Sequence, residues 1–177
     1  MGDCFEDAFE VVIMHEGGYA DDPYDSGGET MYGITKEVAR RYGYKGEMWK
    51  MPLETAEVIY REEYWDRIRI PDFNNDTLKL MLFDTAVNMG QPTAIRKLQK
   101  AYNLLHSKGE EIAEDGIVGP QTINSANSYE RIELLKFCFC IVRGERYLDI
   151  VRSRNNQTRF IAGWLYRLKD MVFRIGE

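Results

Sequence analysis

The chain has 177 residues, of which 44% are hydrophobic and 29% are charged, and its formal net charge is −6. This composition is that of a globular protein and excludes an intrinsically disordered chain. The net negative charge also argues against nucleic acid as the main partner, because phosphate binding requires clustered Lys and Arg.

The first elements are predicted to be helical, because apolar residues recur at helical spacing along nearly the whole chain. Asp3 carries the signature of an N-cap for the first helix, and Gly17 is predicted to end that helix. One stripe on its surface is apolar and consists of Phe5, Ala8, Phe9, Val12 and Ile13. After a glycine-rich segment, Thr35 is predicted to cap a short helix that runs through Arg41.

Further helices are predicted over 53–66 and over 78–89, where Gly90 ends the second of them. Pro92 is placed to begin the next helix, since proline is tolerated in the first turn. The interval between Gly90 and Pro92 is therefore the best boundary between two domains, which we predict at 1–91 and 92–177.

The second half is predicted to continue as helices. Pro120 begins a short helix, and Ser128 is expected to cap a long one that extends to about Ile150. The last helix has an apolar stripe that could dock on the N-terminal half, formed by Phe160, Ile161, Trp164, Leu165, Leu168, Met171 and Val172.

The second half is also basic at its end, and the chain has few cysteines. From Arg131 onward there are ten Lys or Arg and five Asp or Glu, which would suit an anionic polymer or simply form a solvated helix face. The cysteines are Cys4, Cys138 and Cys140, without a CxxC spacing, so we expect reduced thiols and predict no metal and no cofactor.

Glu16 is the first candidate for chemistry. It follows Val12 by four residues and Ile13 by three, so it continues the apolar stripe of the first helix. Partial burial and the negative end of the helix dipole both favour a carboxyl that keeps its proton. Such a carboxyl can serve as the general acid in glycosidic cleavage, where the leaving oxygen must be protonated. The alternative is a helix-terminal glutamate that faces water or pairs with an arginine.

The glycines after Glu16 predict sharp reversals of the chain. A small hairpin or a pair of loops would bring Asp25 and Thr30 back towards Glu16. Asp25 is the better placed second carboxylate, although an aspartate before Gly27-Gly28 is also a common turn residue. The predicted catalytic residues are therefore Glu16, Asp25 and Thr30.

The same segment resembles glycoside hydrolase family 108, the lysozyme-like N-acetylmuramidases found among phage endolysins. The resemblance is carried by Glu16-Gly17-Gly18-Tyr19, Asp22-Pro23, Gly27-Gly28, Thr30-Met31-Tyr32-Gly33-Ile34-Thr35 and Phe83-Asp84-Thr85-Ala86-Val87-Asn88-Met89-Gly90. It implies a mainly α, lysozyme-like fold with a glycine-rich loop or β-hairpin at the active site and a C-terminal helical lobe. It also implies that Glu16 is the catalytic residue.

Phage-type lysozymes more broadly place an aspartate and then a threonine after the catalytic glutamate, as Glu-x8-Asp-x5-Thr. In this chain eight residues separate Glu16 from Asp25, but only four separate Asp25 from Thr30. Asp25 could stabilise an oxocarbenium-like transition state or orient a water that Thr30 holds. Tyr19, Tyr32 and Asn88 are the predicted substrate-binding residues, with core packing as the alternative for the tyrosines and helix bridging for Asn88.

The second half resembles the small helical peptidoglycan-binding domains that often follow this catalytic domain. The resemblance is carried by Leu98-Gln99, by Asp115-Gly116-Ile117-Val118-Gly119-Pro120-Gln121-Thr122 and by Gly163-Trp164 with Arg167. The alternative is purely structural, since glycines and a proline between two helices look alike in any bundle.

Together these features predict a muramidase that cleaves the β-1,4 bond between N-acetylmuramic acid and N-acetylglucosamine in bacterial peptidoglycan. A lytic transglycosylase and a non-catalytic peptidoglycan-binding or secretion scaffold are the alternatives. We expect a monomer without nucleic-acid partners or membrane insertion. We also expect synthesis in the bacterial cytoplasm, since no signal peptide is visible, and action on the cell wall after release.

Overall fold

A computed structural model describes residues 4–21, 28–153 and 155–176, without the side chains of Asn155 and Asn156. The chain divides into two compact units, Met1–Arg67 and Ile68–Glu177. The first unit contains α1 (Phe5–Ile13), β1 (Thr30–Met31), β2 (Ile34–Thr35), α2 (Lys36–Arg41), a 3₁₀ helix (Met48–Lys50), α3 (Leu53–Tyr60) and a π-helix (Arg61–Asp66). The second contains α4 (Asp76–Met89), α5 (Gln91–Leu104), α6 (Pro120–Asn127), α7 (Ile132–Ser153), α8 (Ile161–Phe173) and the 3₁₀ helices Ile70–Asp72, Asn155–Phe160 and Arg174–Gly176.

An aromatic cluster forms the core of the first unit. The ring of Phe5 lies 5.3 Å from that of Trp65, and the ring of Phe9 lies 5.6 Å from that of Tyr60. These contacts pack the predicted apolar stripe of α1 against α3 and the π-helix. Val12 is fully buried one turn further along, so the packing continues to the end of α1.

A β-hairpin follows the glycine-rich segment. Strands β1 and β2 are antiparallel, with Thr30 opposite Thr35 and Met31 opposite Ile34. The two residues between the strands, Tyr32 and Gly33, have φ angles of 53° and 71°. Positive φ at both positions is the pattern of a type I′ turn, whose twist matches that of the strands. The prediction of a hairpin here is confirmed.

Helix boundaries in the first unit follow local signals. The hydroxyl of Thr35 accepts a hydrogen bond from the Val38 amide at 3.3 Å, so the predicted cap and the helix through Arg41 are confirmed. The predicted helix over 53–66 is helical throughout, but its last six residues form a π-helix. Asp3, the predicted cap of α1, lies outside the described residues.

Helix α4 is the buried centre of the second unit. Eight of its residues are buried, among them the polar Asp84 and Thr85. The helix ends at Gly90, which has a φ of 87°, and α5 begins directly afterwards with Pro92 in its first turn. The two helices pack against each other, and α7 packs on α5. The predicted end of α4 at Gly90 is therefore confirmed.

One prediction about the later helices is wrong. Helix α7 begins at Ile132, because Ser128 is the C-cap of α6 and does not cap the helix after it. In α8 only Arg167 and Met171 are buried, whereas Phe160, Leu165 and Val172 are 41%, 45% and 36% exposed. Trp164 packs instead on the ring of Tyr147 at 5.3 Å. The apolar stripe of α8 is thus only partly buried, and its docking on the N-terminal half stays a prediction.

Among the described residues no disulfide is formed, and two of the three cysteines are core residues. Cys138 and Cys140 are both buried in α7, while Cys4 is half-buried. Burial raises the pKa of the Cys140 thiol to about 11. That thiol is therefore protonated and unreactive at neutral pH. None of the described helices combines the length and the apolar character that a membrane crossing needs.

Candidate active site

Glu16 lies one turn beyond the end of α1. The amide of His15 donates to Val12 and that of Glu16 to Ile13, so the chain continues in tight turns after Ile13. Helix α1 thus ends three residues earlier than the glycines predict, but the turns keep Glu16 on the packed side. Its side chain is half-buried, as the apolar spacing predicts.

The hairpin turn closes on the Glu16 carboxyl. A Cβ added to Gly33 would lie 2.9 Å from Oε2 of Glu16 and 3.2 Å from the hydroxyl oxygen of Tyr60. A Cβ at this distance would push the carboxyl group aside. Glycine at position 33 is therefore favoured by its positive φ and also leaves the carboxyl in its observed position.

Two tyrosines flank the same carboxyl from α3 and the π-helix. The hydroxyl of Tyr60 donates a hydrogen bond to the Tyr32 carbonyl at 2.9 Å, and the rings of Tyr60 and Tyr64 lie 5.5 Å apart. The pKa of Tyr64 is raised, first by burial and then by the charges of Glu16 and Glu63. Tyr64 is therefore a neutral phenol, and its pKa depends in part on the charge of Glu16. The π-helix supplies this residue, and such segments often occur at functional sites.

A polar triad of Tyr19, Glu29 and Lys36 lies on the outer side of the hairpin. The Tyr19 hydroxyl donates to one oxygen of Glu29 at 3.1 Å, and Lys36 pairs with the other at 2.8 Å. Mainly because of Lys36, the pKa of Glu29 is lowered, so this carboxylate stays ionised. The pKa of Tyr19 is raised by desolvation and then by Glu29.

Of the other predicted residues in the glycine-rich segment, the structure describes Thr30 and Tyr32. The backbone of Thr30 pairs with Ala20 at 3.0 and 2.8 Å, which joins the chain after Glu16 to the hairpin. Tyr32 is half-buried in the turn itself. Asp25 lies outside the described residues. The predicted catalytic roles of Asp25 and Thr30 stay predictions.

Asn88 belongs to the second unit, at the edge of a buried polar network. Its Oδ1 accepts a hydrogen bond from the Tyr147 hydroxyl at 2.7 Å. Arg143 donates to that hydroxyl and pairs with Asp84 at 2.5 Å. Asn88 therefore bridges α4 and α7, and its substrate contact stays a prediction.

The string from Asp115 to Thr122 has a clear structural role. Buried Gln99 donates to Asp115 at 2.9 Å and to Thr122 at 3.1 Å, and it accepts from the Gly116 amide at 2.9 Å. A Cβ on Gly116 would meet the Pro92 carbonyl oxygen at 2.6 Å. This motif therefore attaches the loop before α6 to helix α5.

Sequence reasoning missed Glu29 and the interaction of Tyr64 with Glu16. Tyr60 and Tyr64 are four residues apart on a helical segment, which is the spacing that places two side chains on one face. That signal could have indicated a tyrosine pair with one target. The only sequence signal for Glu29 is its position between Gly28 and β1. Its contact with Lys36 could not be predicted, because that contact forms only in the folded hairpin.

A half-buried carboxyl between a backbone turn and phenol groups can donate a proton to a substrate oxygen. Among residues 4–21, 28–153 and 155–176, the His, Cys, Asp and Glu side chains form no cluster of three that could hold a metal ion.

Comparisons with known proteins agree with these features. Residues 9–90 match the family model described as Glycosyl hydrolase 108, and residues 93–169 match the model described as Predicted Peptidoglycan domain. The search of curated proteins gave no match to the chain.

A solved structure, that of Brucella abortus SagA, is similar over almost the full length. It has a TM-score of 0.74 and 25% sequence identity, and the alignment covers 97% of this chain and 92% of SagA. The predicted mainly α, lysozyme-like fold class is confirmed. The two family matches support a role in hydrolysing or binding peptidoglycan. The chain is thus similar to the glycosyl hydrolase 108 family over residues 9–90 and to a predicted peptidoglycan domain over residues 93–169.

Proposed function

We propose that the protein is an N-acetylmuramidase that hydrolyses the β-1,4 bond between N-acetylmuramic acid and N-acetylglucosamine. Glu16 is the general acid in this proposal. The observation that carries it is the close approach of the Glu16 carboxyl to the Gly33 turn, where a Cβ would lie 2.9 Å from Oε2. The match of residues 9–90 to the Glycosyl hydrolase 108 model supports the assignment of a glycosidase.

In the proposed reaction, Glu16 transfers its proton to the glycosidic oxygen as the bond from that oxygen to C1 breaks. The bonding electrons go to the oxygen, and C1 becomes oxocarbenium-like. A water then attacks C1 and gives up a proton to a carboxylate. Asp25 is our leading choice for that second carboxylate, and Thr30 for a residue that holds the water.

Aromatic and amide side chains would hold the sugars. Tyr19 is 44% exposed and is proposed to stack on a pyranose ring. Tyr32 and Asn88 are the other two residues that we propose to contact the glycan. The predicted peptidoglycan domain would add binding strength without taking part in bond cleavage.

The experiment is release of soluble fragments from dye-labelled peptidoglycan by the unmodified protein and by Glu16→Gln. We expect the variant to lose activity by a factor of about 10² to 10⁴, which is the usual contribution of a general acid. Glu10→Gln is the matched control, because Glu10 is an exposed residue of helix α1, which precedes Glu16. Full activity of Glu16→Gln would refute the assignment of Glu16. Binding of peptidoglycan without release by the unmodified protein would favour the scaffold alternative.

A further inference from the structure

The second unit has a charged cleft that the proposed reaction does not use. It has a volume of about 310 Å³ and lies among helix α5, helix α7 and the loop before α6. Its lining consists of Thr93, Arg96, Lys97, Lys100, Glu114 and Arg146. Four of these six side chains are cationic and one is anionic.

Two of the four cations are occupied within the protein. Arg96 donates to the backbone carbonyls of Glu114 at 3.1 Å and Asp115 at 3.0 Å. Lys100 pairs with Glu145 at 2.8 Å. These contacts shape the cleft, because they hold the loop and α7 against α5.

The other two cations, Lys97 and Arg146, have no hydrogen bond or ion pair within the part of the chain that the structure describes. Lys97 is half-buried, and its pKa is lowered by burial and then by Lys100, against the opposing effect of Glu145. A desolvated cation without a partner is unfavourable, and a bound anion would relieve that cost.

Glu114 gives the cleft a negative group beside these cations. One carboxylate oxygen of Glu114 accepts a hydrogen bond from the Asn103 side chain at 3.0 Å, which fixes its position. A purely anionic ligand would leave the charge of this carboxylate without a partner on the ligand. A ligand that carries both a carboxylate and an ammonium group would satisfy both signs of charge.

We propose that this cleft binds the free amino-acid end of a peptidoglycan peptide stem. Lys97 and Arg146 bind its carboxylate, and Glu114 binds its ammonium group. This inference deepens the proposed function and rests on peptidoglycan being the substrate. The second unit would then bind the peptide, and Glu16 of the first unit would cleave the glycan.

The test uses the full chain and a synthetic, sugar-free stem peptide that ends in a diamino dicarboxylic acid with a free amine. Isothermal titration calorimetry should detect binding, and acetylating that amine should weaken it by about tenfold, the effect of losing one charge-assisted hydrogen bond. The double variant Lys97→Gln/Arg146→Gln should lose at least about tenfold in affinity. Glu114→Gln should lose the preference for the free amine. Lys108→Gln, an exposed residue of the same unit, is the control and should bind normally.

Three outcomes would overturn the inference: no binding by the unmodified protein, equal affinity for the free and acetylated peptides, or unchanged binding by the double variant. Circular dichroism of each variant would show that the fold is retained. Because the peptide has no glycosidic bond, its binding is independent of cleavage. Peptidoglycan hydrolysis without peptide binding would refute only this inference, and peptide binding without hydrolysis would refute only the proposed muramidase activity.

Discussion

At the scale of single residues, Gly33 links the conformation of the hairpin to the position of the Glu16 carboxyl. Its φ of 71° disfavours any L side chain, and a Cβ would lie 2.9 Å from Oε2 of Glu16. The first effect acts on stability and the second acts on the carboxyl itself. The two can be separated by comparison with another glycine.

Gly33→Ala should therefore reduce stability by about 1 kcal/mol and hydrolysis by at least about tenfold, because it adds a left-handed penalty and displaces Glu16. Gly43→Ala is the matched control. Gly43 has a φ of 80°, but its Cβ would meet no atom within 4 Å, so only stability should fall. Thermal melts and dye-release rates measured on both variants check this prediction. Equal activities at a temperature where both are folded would contradict it.

Sequence and structure agree on Glu16 and Gly33 because short-range spacing determines both. The distance of Glu16 from Val12 and Ile13 predicts its half-buried side chain, and the Tyr-Gly pair permits the turn. Glu29 could not be predicted in the same way, because its contacts with Tyr19 and Lys36 form only when the hairpin closes.

At the scale of elements, α4 is held by ionic contacts that hydrophobic spacing does not reveal. Asp84 is fully buried and pairs with Arg143 at 2.5 Å and with Arg167 at 2.6 Å. Burial alone would lower the pKa of Arg143, but Asp84 and Tyr147 more than offset this, and the pKa is raised. The network joins α4, α7 and α8.

Asp84→Asn should destabilise the protein by about 3 to 5 kcal/mol, because it leaves two buried guanidinium groups without their counter-charge. Asp149→Asn is the comparison, since its pair with Arg152 is exposed and 3.7 Å long, and should cost less than about 1 kcal/mol. Urea denaturation of both variants provides the measurement. Similar midpoints for the two would show that the buried network contributes little.

Local capping signals predicted some helix ends better than others. Thr35 and Gly90 act as predicted, since each end is determined by its own backbone and side chain. The Ser128 prediction failed because the same residue type suits either side of a short connection. In α8, Arg167 pairs with buried Asp84, so an ionic contact also determines which face of that helix is packed.

At the scale of the whole molecule, packing and family boundaries divide the chain at different places. The first compact unit ends at Arg67 and the second begins at Ile68, whereas the glycosyl hydrolase 108 match ends at residue 90. Helix α4 therefore packs with α5 although it belongs to the first family match. The predicted domains, 1–91 and 92–177, stay a prediction about organisation, since turn residues mark the ends of helices but not their packing partners.

This difference leads to a prediction about fragments. A fragment of 68–177 should unfold cooperatively on heating, because it retains α4 with Asp84. A fragment of 92–177 should show little cooperative unfolding, since Arg143 and Arg167 lose their buried partner. Circular dichroism melts compare them. A cooperative transition of equal midpoint in 92–177 would mean that α4 is dispensable for the second unit.

In the proposed reaction, Glu16 protonates the bond between N-acetylmuramic acid and N-acetylglucosamine, and water completes the cleavage. Mass spectrometry of the soluble products from purified peptidoglycan distinguishes this reaction from its alternatives. We predict muropeptides with N-acetylmuramic acid at the reducing end, and their loss with Glu16→Gln. Anhydro-muramic products would contradict the claim and establish a lytic transglycosylase, in which the 6-hydroxyl of the sugar replaces water.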